Sequence, residues 1–305
     1  EIADRDWSSD VCSSDLGFIG IIGRPNVGKS TLMNSILGEK ITIASNKPQT
    51  TRNSIRGIYN EENLQMIFID TPGIHKPRNK LGEFMTDSAL ATFEEVDVIL
   101  FLTDSDIDKG PGDKYIVDLL KRTDTPKYLV INKIDVMDPM YYKKIFEDYQ
   151  KMEIFEDVLG VSAKEDTNIE DVIKACKSHM QEGPMFFPED MITDHPERFL
   201  VSEIVREKIL TYIEKEVPHG VAVEIEYFKE KPKITDIGVI IYCEKKSHKG
   251  ILIGKQGHTL KGIGMAARKE IEGLLGCPVN LKTWVKVKEN WRDSDMALSN
   301  FGYKE

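Results

Sequence analysis

Nine residues near the amino terminus, GRPNVGKST from Gly23 to Thr31, have the composition and spacing of a phosphate-binding loop. Gly23 and Gly28 let the backbone wrap around a phosphate with its N–H groups pointing inward. Lys29 supplies a positive charge to the β- and γ-phosphate oxygens, and the Ser30 hydroxyl can bind Mg²⁺. The preceding run GFIGIIG predicts a strand and the following residues a helix, whose amino terminus also attracts phosphate. This context favours a nucleotide site over an ordinary glycine-rich turn.

Two further motifs indicate that the base is guanine. In NKID, which follows the apolar run KYLVI, the Asp135 carboxylate can accept the N1–H and the exocyclic amine of guanine, whereas adenine offers neither donor. A site built around such hydrogen bonds discriminates strongly, because its buried polar atoms are otherwise left unpaired. Asn132 is expected to brace the loops, and the Lys133 stem to cover the base. In SAK, residues 162–164, the Ala163 N–H can donate to the guanine O6.

A third group of residues could hold a metal ion and sense the terminal phosphate. Asp70 ends the apolar run LQMIFID and can hold Mg²⁺ through water, and the Gly73 N–H can meet the γ-phosphate. The loop KPQTTRN is expected to supply a threonine to the metal; we predict Thr51, with Thr50 as the alternative. Loops held by the γ-phosphate and Mg²⁺ are released after hydrolysis, which predicts a molecular switch. Ile74 follows Gly73, so this loop lacks the glutamine that orients water in Ras-type enzymes.

Strand and helix patterns alternate around these motifs. Apolar runs predict strands at 18–22, 55–59, 64–69, 97–103, 126–131 and 157–161. Amphipathic stretches predict helices near 29–38, 80–92, 112–123, 140–150 and 168–180. This alternation is typical of an α/β fold with a mostly parallel sheet and helices on both faces. With the phosphate loop, it predicts the architecture of a Ras-like P-loop GTPase.

Together, these motifs predict one nucleotide site assembled from five segments. The residues predicted to bind GTP or GDP are Gly23, Arg24, Pro25, Asn26, Val27, Gly28, Lys29, Ser30, Thr31, Asp70, Thr71, Pro72, Gly73, Asn132, Lys133, Asp135, Ser162, Ala163 and Lys164. The predicted Mg²⁺ ligands are Ser30, Thr51 and Asp70.

The last third of the chain carries a second glycine loop of a different kind. The predicted order of elements is α-β-β-α-α-β, with the turn GKQG between two short helices. Two glycines let such a loop press against a nucleic-acid backbone while Lys255 contacts a phosphate, and an adjoining apolar groove holds unstacked bases. This is the KH mode of binding about four single-stranded nucleotides. The order of elements resembles that of type II KH domains, which implies an α+β fold. The residues predicted to bind RNA are Gly254, Lys255, Gln256, Gly257, Ile251, Ile253 and Lys249.

Charge is distributed unevenly along the chain. The formal net charge is −10, but residues 198–305 carry +4, residues 1–197 carry −14, and +7 falls within 244–292. An acidic part joined to a basic part predicts two domains, the second with a polyanionic partner. We assign a GTPase domain to 16–181, a linker to 182–197 and a KH RNA-binding domain to 198–305.

Composition argues against two classes of protein. No apolar run in the sequence approaches the roughly 20 residues of a membrane-spanning helix. The four cysteines form no CxxC pair and no cluster with histidine, so neither a disulfide framework nor a zinc site is expected. This cysteine usage fits a reducing cytosol.

The first fifteen residues form an anomalous tract. The stretch RDWSSDVCSSDL resembles the in-frame translation of a sequencing-library adapter, and we interpret residues 1–15 as a non-native tail. We expect the native chain to resume near Leu16 or Gly17.

Taken together, the motifs resemble the Era family of bacterial ribosome-assembly GTPases. The resemblance spans about residues 17–305 and rests on GRPNVGKST, PQTTR, DTPG, NKID, SAK, GKQG and the closing stretch VKVKENWRDSDMALSNFGY. It implies binding to 16S ribosomal RNA near its 3′ end, a role in maturation of the 30S subunit, and GTP-dependent control of RNA binding. It also implies a cytoplasmic monomer that can associate peripherally with the inner membrane.

The same resemblance suggests a substitute for the missing glutamine. In related GTPases with an apolar residue after DTPG, an asparagine at the position of Asn26 helps to bind K⁺ near the β- and γ-phosphates. The ion neutralises developing charge much as an arginine finger does. K⁺ is therefore an expected activator, with backbone groups of the KPQTTR loop completing its coordination. The predicted catalytic residues are Lys29, Asn26, Thr51 and Gly73.

Three other functions fit parts of the pattern. A related ribosome-associated GTPase with tandem G domains would need a second phosphate loop and a second NKxD, and this sequence contains one of each. An RNA-binding adaptor with a non-hydrolysing nucleotide domain stays open, although every phosphate, metal and base motif is present. An ATP-dependent kinase conflicts with Asp135, and the sequence lacks the kinase catalytic-loop motif.

Overall fold

The computed structural model describes residues 13–45, 47, 49–105, 111–214 and 216–303. These residues form two sheets; the first has an apolar core on each face, and the second has one core. Residues 1–12 of the anomalous tract lie outside the described part of the chain, and residues 13–15 begin the first strand.

The first sheet is mostly parallel. Its strands are β1 (Ser13–Gly23), β2 (Ile55–Glu61), β3 (Leu64–Asp70), β4 (Val98–Thr103), β5 (Lys127–Ile131), β6 (Val158–Gly160) and β7 (Gln181–Pro184). The order is β2-β3-β1-β4-β5-β6, and β7 pairs antiparallel with the start of β1. β2 is antiparallel to β3, while the other neighbours in that order run parallel.

Helices cover both faces of this sheet because its central strands are apolar throughout. The helices are α1 (Lys29–Leu37), α2 (Lys80–Glu95), α3 (Pro111–Leu120), α4 (Pro139–Gln150) and α5 (Ile169–Lys177). Successive residues of β1 enter opposite cores, since Ile21 packs with α1 and α5 while Ile22 packs with α2, α3 and α4. Strands buried on both faces have continuous apolar sequences, and this is why these strands can be predicted from the sequence.

The carboxyl ends of the parallel strands bring the predicted nucleotide-site residues to one edge of the sheet. Gly23 ends β1, Asp70 ends β3, and Asn132 directly follows β5. Ser162 lies two residues beyond β6. Ligands of open α/β sheets bind at this edge, so the fold itself assembles the site.

The second sheet belongs to an α-β-β-α-α-β unit with a short helix after it. Its elements are α6 (Glu197–Tyr212), β8 (Val221–Lys231), β9 (Ile234–Cys243), α7 (Lys246–Ile253), α8 (His258–Leu275), β10 (Val279–Val287) and α9 (Asp295–Asn300). β9 is central, antiparallel to β8 and parallel to β10. Among the described residues, no helix is long and apolar enough to cross a bilayer.

The stretch predicted to be a linker, 182–197, is held along the first sheet. The buried side chain of Gln65 accepts hydrogen bonds from the N–H groups of Phe186 and Phe187 and donates to the Phe187 carbonyl. Ile58 N–H also donates to the Ile192 carbonyl. The chain therefore reaches α6 along a fixed path.

A fourth apolar cluster lies between α2 and the end of the chain. Leu81 and Met85 of α2 pack with Trp291, Leu298 and Tyr303 from the end of the chain. Trp291 is fully buried, and its indole N–H donates to the Gly220 carbonyl at 2.9 Å. The carboxy-terminal segment thus joins the helix after the DTPG loop to the second domain.

Candidate functional site

The phosphate loop adopts the backbone conformation that its glycines predict. Gly28, at the start of α1, has φ 103°, and a Cβ there would lie 2.1 Å from the Asn132 amide nitrogen. Only glycine fits such a position. Lys29 extends along the loop and donates to the carbonyls of Gly23 at 3.2 Å and Arg24 at 3.0 Å. Its ammonium thus lies within the turn of the loop.

Burial sets the ionisation of Lys29. Desolvation lowers the pKa of its ammonium to about 8, against the opposing attraction of Asp70. An anion placed in the loop would restore the charged form. Above about pH 8 the lysine is therefore expected to gain a proton when phosphate binds.

The three predicted metal ligands lie within hydrogen-bonding distance of one another. Ser30 Oγ donates to Asp70 Oδ2 at 2.7 Å, Thr51 Oγ1 donates to the same oxygen at 3.1 Å, and the two hydroxyl oxygens are 2.9 Å apart. Thr50, the alternative ligand, instead turns its hydroxyl towards the Lys47 carbonyl at 2.6 Å. The geometry thus favours Thr51 over Thr50.

This cluster fits a hard cation. Asp70 is fully buried, and its Oδ1 atom has no hydrogen-bond partner among the described residues. Burial raises the pKa of the Asp70 carboxyl, while Lys29 and the two hydroxyl donors oppose that rise. Oxygen ligands around a carboxylate suit Mg²⁺, which when bound neutralises charge on the β- and γ-phosphates. Ser30, Thr51 and Asp70 are the residues that would hold it.

The predicted base-binding residues are also brought together. Asn132 donates to the Val27 carbonyl at 2.8 Å and accepts the Ala163 N–H at 3.0 Å, so it ties the phosphate loop to the SAK loop. Ser162 Oγ donates to Asp135 Oδ1 at 2.7 Å and orients that exposed carboxylate. The Ala163 N–H that was expected to meet guanine is bonded to Asn132, and a guanine O6 would have to share it.

A cavity of about 460 Å³ opens beside the phosphate loop. Of the predicted residues, those lining it are Pro25, Asn26, Gly28, Lys29, Ser30, Thr31, Thr51, Gly73 and Lys133. The other predicted residues lie outside its lining, behind the loops or at the base end: Gly23, Arg24, Val27, Asp70, Thr71, Pro72, Asn132, Asp135, Ser162, Ala163 and Lys164. Leu210 and Thr211 of α6 also line the cavity, so the second domain contributes to its wall.

The residue after Gly73 is unable to orient water. Ile74 is buried in the core, and its N–H donates to the Gly23 carbonyl at 3.2 Å. His75 is held by the Gly73 carbonyl through Nδ1 at 2.8 Å, and its Nε2 lies 3.3 Å from the amide nitrogen of Gln49. Gln49 lines the cavity, and the sequence had not singled it out.

The GKQG turn exposes its two central side chains. Lys255 and Gln256 are exposed, and positive φ angles at Gly254 (74°), Gln256 (52°) and Gly257 (80°) form the turn. A Cβ on Gly254 would lie 2.1 Å from the Thr259 hydroxyl, so glycine is required there.

The apolar residues before this turn differ in their surroundings. Ile251 is 49% exposed, whereas Ile253 is half-buried and packs on the core of the second domain. Lys249 is half-exposed on the same helix, α7. Ile251 is therefore the residue of this pair that is free to contact a base.

Known proteins match the chain along nearly its whole length. A family model described as a 50S ribosome-binding GTPase matches residues 18–133, and a KH domain model matches residues 216–292. The chain is 54% identical to GTPase Era of Alkaliphilus metalliredigens over 290 residues, covering 94% of this chain and 98% of that protein. It is 52% identical to GTPase Era of Clostridioides difficile over 292 residues, covering 95% of this chain and 98% of that protein. The chain belongs to the Era family of GTPases.

Solved Era structures agree with this assignment. A crystal structure of Era in complex with MgGDPNP and nucleotides 1506–1542 of 16S ribosomal RNA matches with a TM-score of 0.91 at 40% identity. The match covers 96% of this chain and 100% of the crystallised Era chain. A variant of Aquifex aeolicus Era bound to GDP and AlF₄⁻ matches with a TM-score of 0.91 at 39% identity, covering 95% and 100%. The predicted P-loop GTPase and KH folds are confirmed, and this Era-family chain is a GTP-hydrolysing enzyme.

Two acidic residues of the site escaped the sequence analysis of this Era-family chain. Asp113 holds Arg24 of the phosphate loop at 2.7 Å, and Asp104 contacts Arg24 at 3.2 Å and Lys133 at 2.6 Å. Both lie after β4, in a stretch without a recognisable motif. Sequence alone does not reveal them, because Asp104 connects the phosphate loop with NKID, and Asp113 connects that loop with α3, only in the folded chain.

We expect Asp135→Asn to abolish most of the preference for GDP over ADP. The amide would lose one acceptor and present a donor to the guanine N1–H and amine, so GDP affinity should fall by about 100-fold while ADP affinity hardly changes. Competition between fluorescent guanine and adenine nucleotides measures both. Asp138→Asn, which keeps a capping side chain at the start of α4, is the matched control. Unchanged selectivity in Asp135→Asn would contradict the assignment of NKID to the base.

We also expect GDP binding to take up protons at alkaline pH. Because the Lys29 pKa is about 8 in the free site, the group is mostly neutral at pH 8.5 and mostly charged at pH 6.5. Phosphate stabilises the charged form, so binding should take up most of one proton at pH 8.5 and nearly none at pH 6.5. Calorimetry in two buffers of different ionisation enthalpy measures this number. Equal uptake at both pH values would contradict the proposed state of Lys29.

Proposed function

We propose that this chain is a GTP-dependent switch that binds the 3′ region of 16S ribosomal RNA through its KH domain during assembly of the 30S subunit. GTP and Mg²⁺ bind at the carboxyl edge of the first sheet, where Lys29 holds the phosphates. Ser30, Thr51 and Asp70 hold the metal. Asp135, supported by Ser162, selects guanine. RNA binds at the GKQG turn, where Lys255 contacts the backbone and Ile251 contacts a base.

One observation carries this proposal. An Era that is 40% identical to this chain was crystallised with MgGDPNP and nucleotides 1506–1542 of 16S ribosomal RNA together. Each site has the features its ligand needs: a buried carboxylate with an unpaired oxygen for the metal, and an exposed glycine turn for the RNA backbone. The positive charge of residues 244–292 favours a polyanion at the second site.

Hydrolysis follows from these positions. Lys29 and the backbone N–H groups of the phosphate loop stabilise the charge that develops on the transferred phosphoryl group. The Gly73 N–H contacts the γ-phosphate and senses its loss. Since Ile74 supplies no polar group, water is positioned by groups of the Gln49–Thr51 segment.

K⁺ is the proposed activator. Asn26 lines the cavity with Gly28 and Lys29, and its φ of 67° lies in the left-handed region. Gln49 and Thr50 of the KPQTTR loop line the same cavity, and their carbonyls accept hydrogen bonds from Arg206. A monovalent cation there would offset negative charge on the β- and γ-phosphates. Peripheral contact with the inner membrane, a cytoplasmic location and a monomeric state stay predictions of the resemblance.

We expect RNA binding to depend on both the glycine turn and the nucleotide. Replacing Lys255 and Gln256 by Asp places two carboxylates against phosphate, so affinity for a 16S 3′-end oligonucleotide should fall about tenfold or more and its salt dependence should weaken. The wild-type protein should bind that RNA more tightly with a non-hydrolysable GTP analogue than with GDP. Fluorescence anisotropy over a range of salt concentrations measures both effects.

A matched control for this experiment lies on the far domain. Lys143→Asp with Gln150→Asp makes the same change of charge on exposed positions of α4 and should bind RNA as the wild type does. Equal losses in both double variants would contradict the assignment of the GKQG turn. Equal RNA affinity with GDP and with the GTP analogue would leave two uncoupled modules and refute the switch.

We expect GTP turnover to be faster in potassium than in sodium buffer at equal ionic strength. A fixed positive charge at the γ-phosphate typically accelerates such reactions, and we expect about tenfold or more. Asn26→Ala should abolish the difference between the two salts. Equal wild-type rates in both salts, measured by phosphate release, would remove Asn26 and K⁺ from the mechanism.

A further inference from the structure

The loop that carries Thr51 is bound to the KH domain as well as to the nucleotide domain. We call the described residues among 44–52 the switch loop. Its amino-terminal part contacts α6 through Ala44, whose N–H donates to Glu207 Oε1 at 3.2 Å. Lys47 donates to the carbonyls of Leu210 and Ile213 at the carboxyl end of the same helix. A lysine at this end also offsets the negative pole of the helix dipole.

Arg206 of α6 holds the backbone directly before Thr51. Its guanidinium donates to the carbonyls of Thr50 and Gln49, the second at 3.4 Å, and pairs with Glu203, with Nε to Oε1 at 2.7 Å. The side chain of Arg206 is 1% exposed. A buried arginine needs several partners to offset its desolvation, so its geometry is tightly defined.

Arg52 fixes the backbone directly after Thr51. It is fully buried among residues of the KH domain and the chain end. It donates to the carbonyls of Val221 at 2.7 Å and His219 at 3.1 Å, and its guanidinium lies 5.8 Å from the ring centres of Trp291 and Tyr303. Both neighbours of Thr51 are therefore anchored in the second domain.

We propose that Arg206 is a positioning residue for GTP hydrolysis: the KH domain supplies it to hold Thr51 against Ser30 and Asp70. The inference rests on the proposed function of the nucleotide site. Thr51 contacts Ser30 and Asp70 through its side-chain hydroxyl, and the peptide carbonyl before it is fixed by Arg206. A shift of α6 moves that carbonyl and takes the hydroxyl out of reach, because hydrogen bonds weaken steeply with distance and angle.

This arrangement gives the KH domain a defined effect on the enzyme. With α6 docked, the metal-binding threonine is in place; with α6 displaced, GDP still binds, because the phosphate loop and NKID are formed within the first domain. Arg206 thus affects the triphosphate state and leaves the diphosphate state largely untouched. The two nucleotides therefore provide a readout that a purely structural role would not give.

The test removes both charges of the buried pair, because replacing Arg206 alone would leave the Glu203 carboxylate without its partner. Glu203→Gln with Arg206→Met is expected to lower kcat for GTP about tenfold or more, because charge-assisted hydrogen bonds to the switch loop are lost. Affinity for a non-hydrolysable GTP analogue should fall by a similar factor, and half-saturation with Mg²⁺ should need a higher concentration. Affinities for GDP, and for the 16S 3′-end oligonucleotide without nucleotide, should stay within about twofold of the wild type.

Arg198→Met is the matched control, since Arg198 lies on the same helix and donates to the Ile225 carbonyl within the KH domain. It should retain the wild-type ratio of GTP-analogue to GDP affinity. Arg206→Lys, which keeps the charge but cannot span both carbonyls, should give intermediate values. An unchanged affinity ratio and unchanged Mg²⁺ dependence in the double variant would overturn the proposal. So would an equal loss of GDP binding, which would make Arg206 merely structural; absence of GTP turnover by the wild type would instead refute the proposed function.

Discussion

The nucleotide site depends on the burial of one carboxylate at the end of β3. Asp70 is fully buried, and two hydroxyl donors share its Oδ2 atom while Oδ1 has no partner among the described residues. Desolvation disfavours the charged form of such a group, and Lys29 opposes this from the phosphate loop. A divalent cation beside Oδ1 would favour the charged carboxylate. Metal and phosphate would therefore bind more favourably together than separately.

The same carboxylate makes the two domains interdependent. One of its donors, Thr51, comes from a loop whose neighbouring residues are anchored in the KH domain through Arg206 and Arg52. A change in the charge or ligands of Asp70 changes the strength of its hydrogen bond to Thr51, and so the stability of that loop. The loop is in turn hydrogen-bonded to α6. Coupling between nucleotide and RNA then needs no long pathway, since a single segment contacts both domains.

The sequence predicts contiguous motifs better than contacts between distant segments. The phosphate loop, DTPG, NKID and GKQG each carry their chemistry within a few residues, and the apolar strands between them are unambiguous because both faces are buried. Glu203, Arg206 and Glu207 fall at helical spacing, and a charged face usually indicates a solvated surface. In the structure all three are buried against the switch loop. Their burial arises from the docking of two domains, which no local pattern encodes.

The absence of a glutamine after DTPG is related to the contacts between the switch loop and the KH domain. Ile74 is buried and its N–H is bonded to Gly23, so the DTPG loop is tied to the phosphate loop and offers no side chain to water. The switch loop contributes polar residues to the cavity lining, including Gln49, Thr50 and Thr51, beside those of the phosphate loop. Those residues are held by Arg206 from the KH domain. An enzyme that took its water-orienting group from DTPG could turn over regardless of its second domain. If the switch loop takes that role, as we propose, hydrolysis depends on where α6 lies.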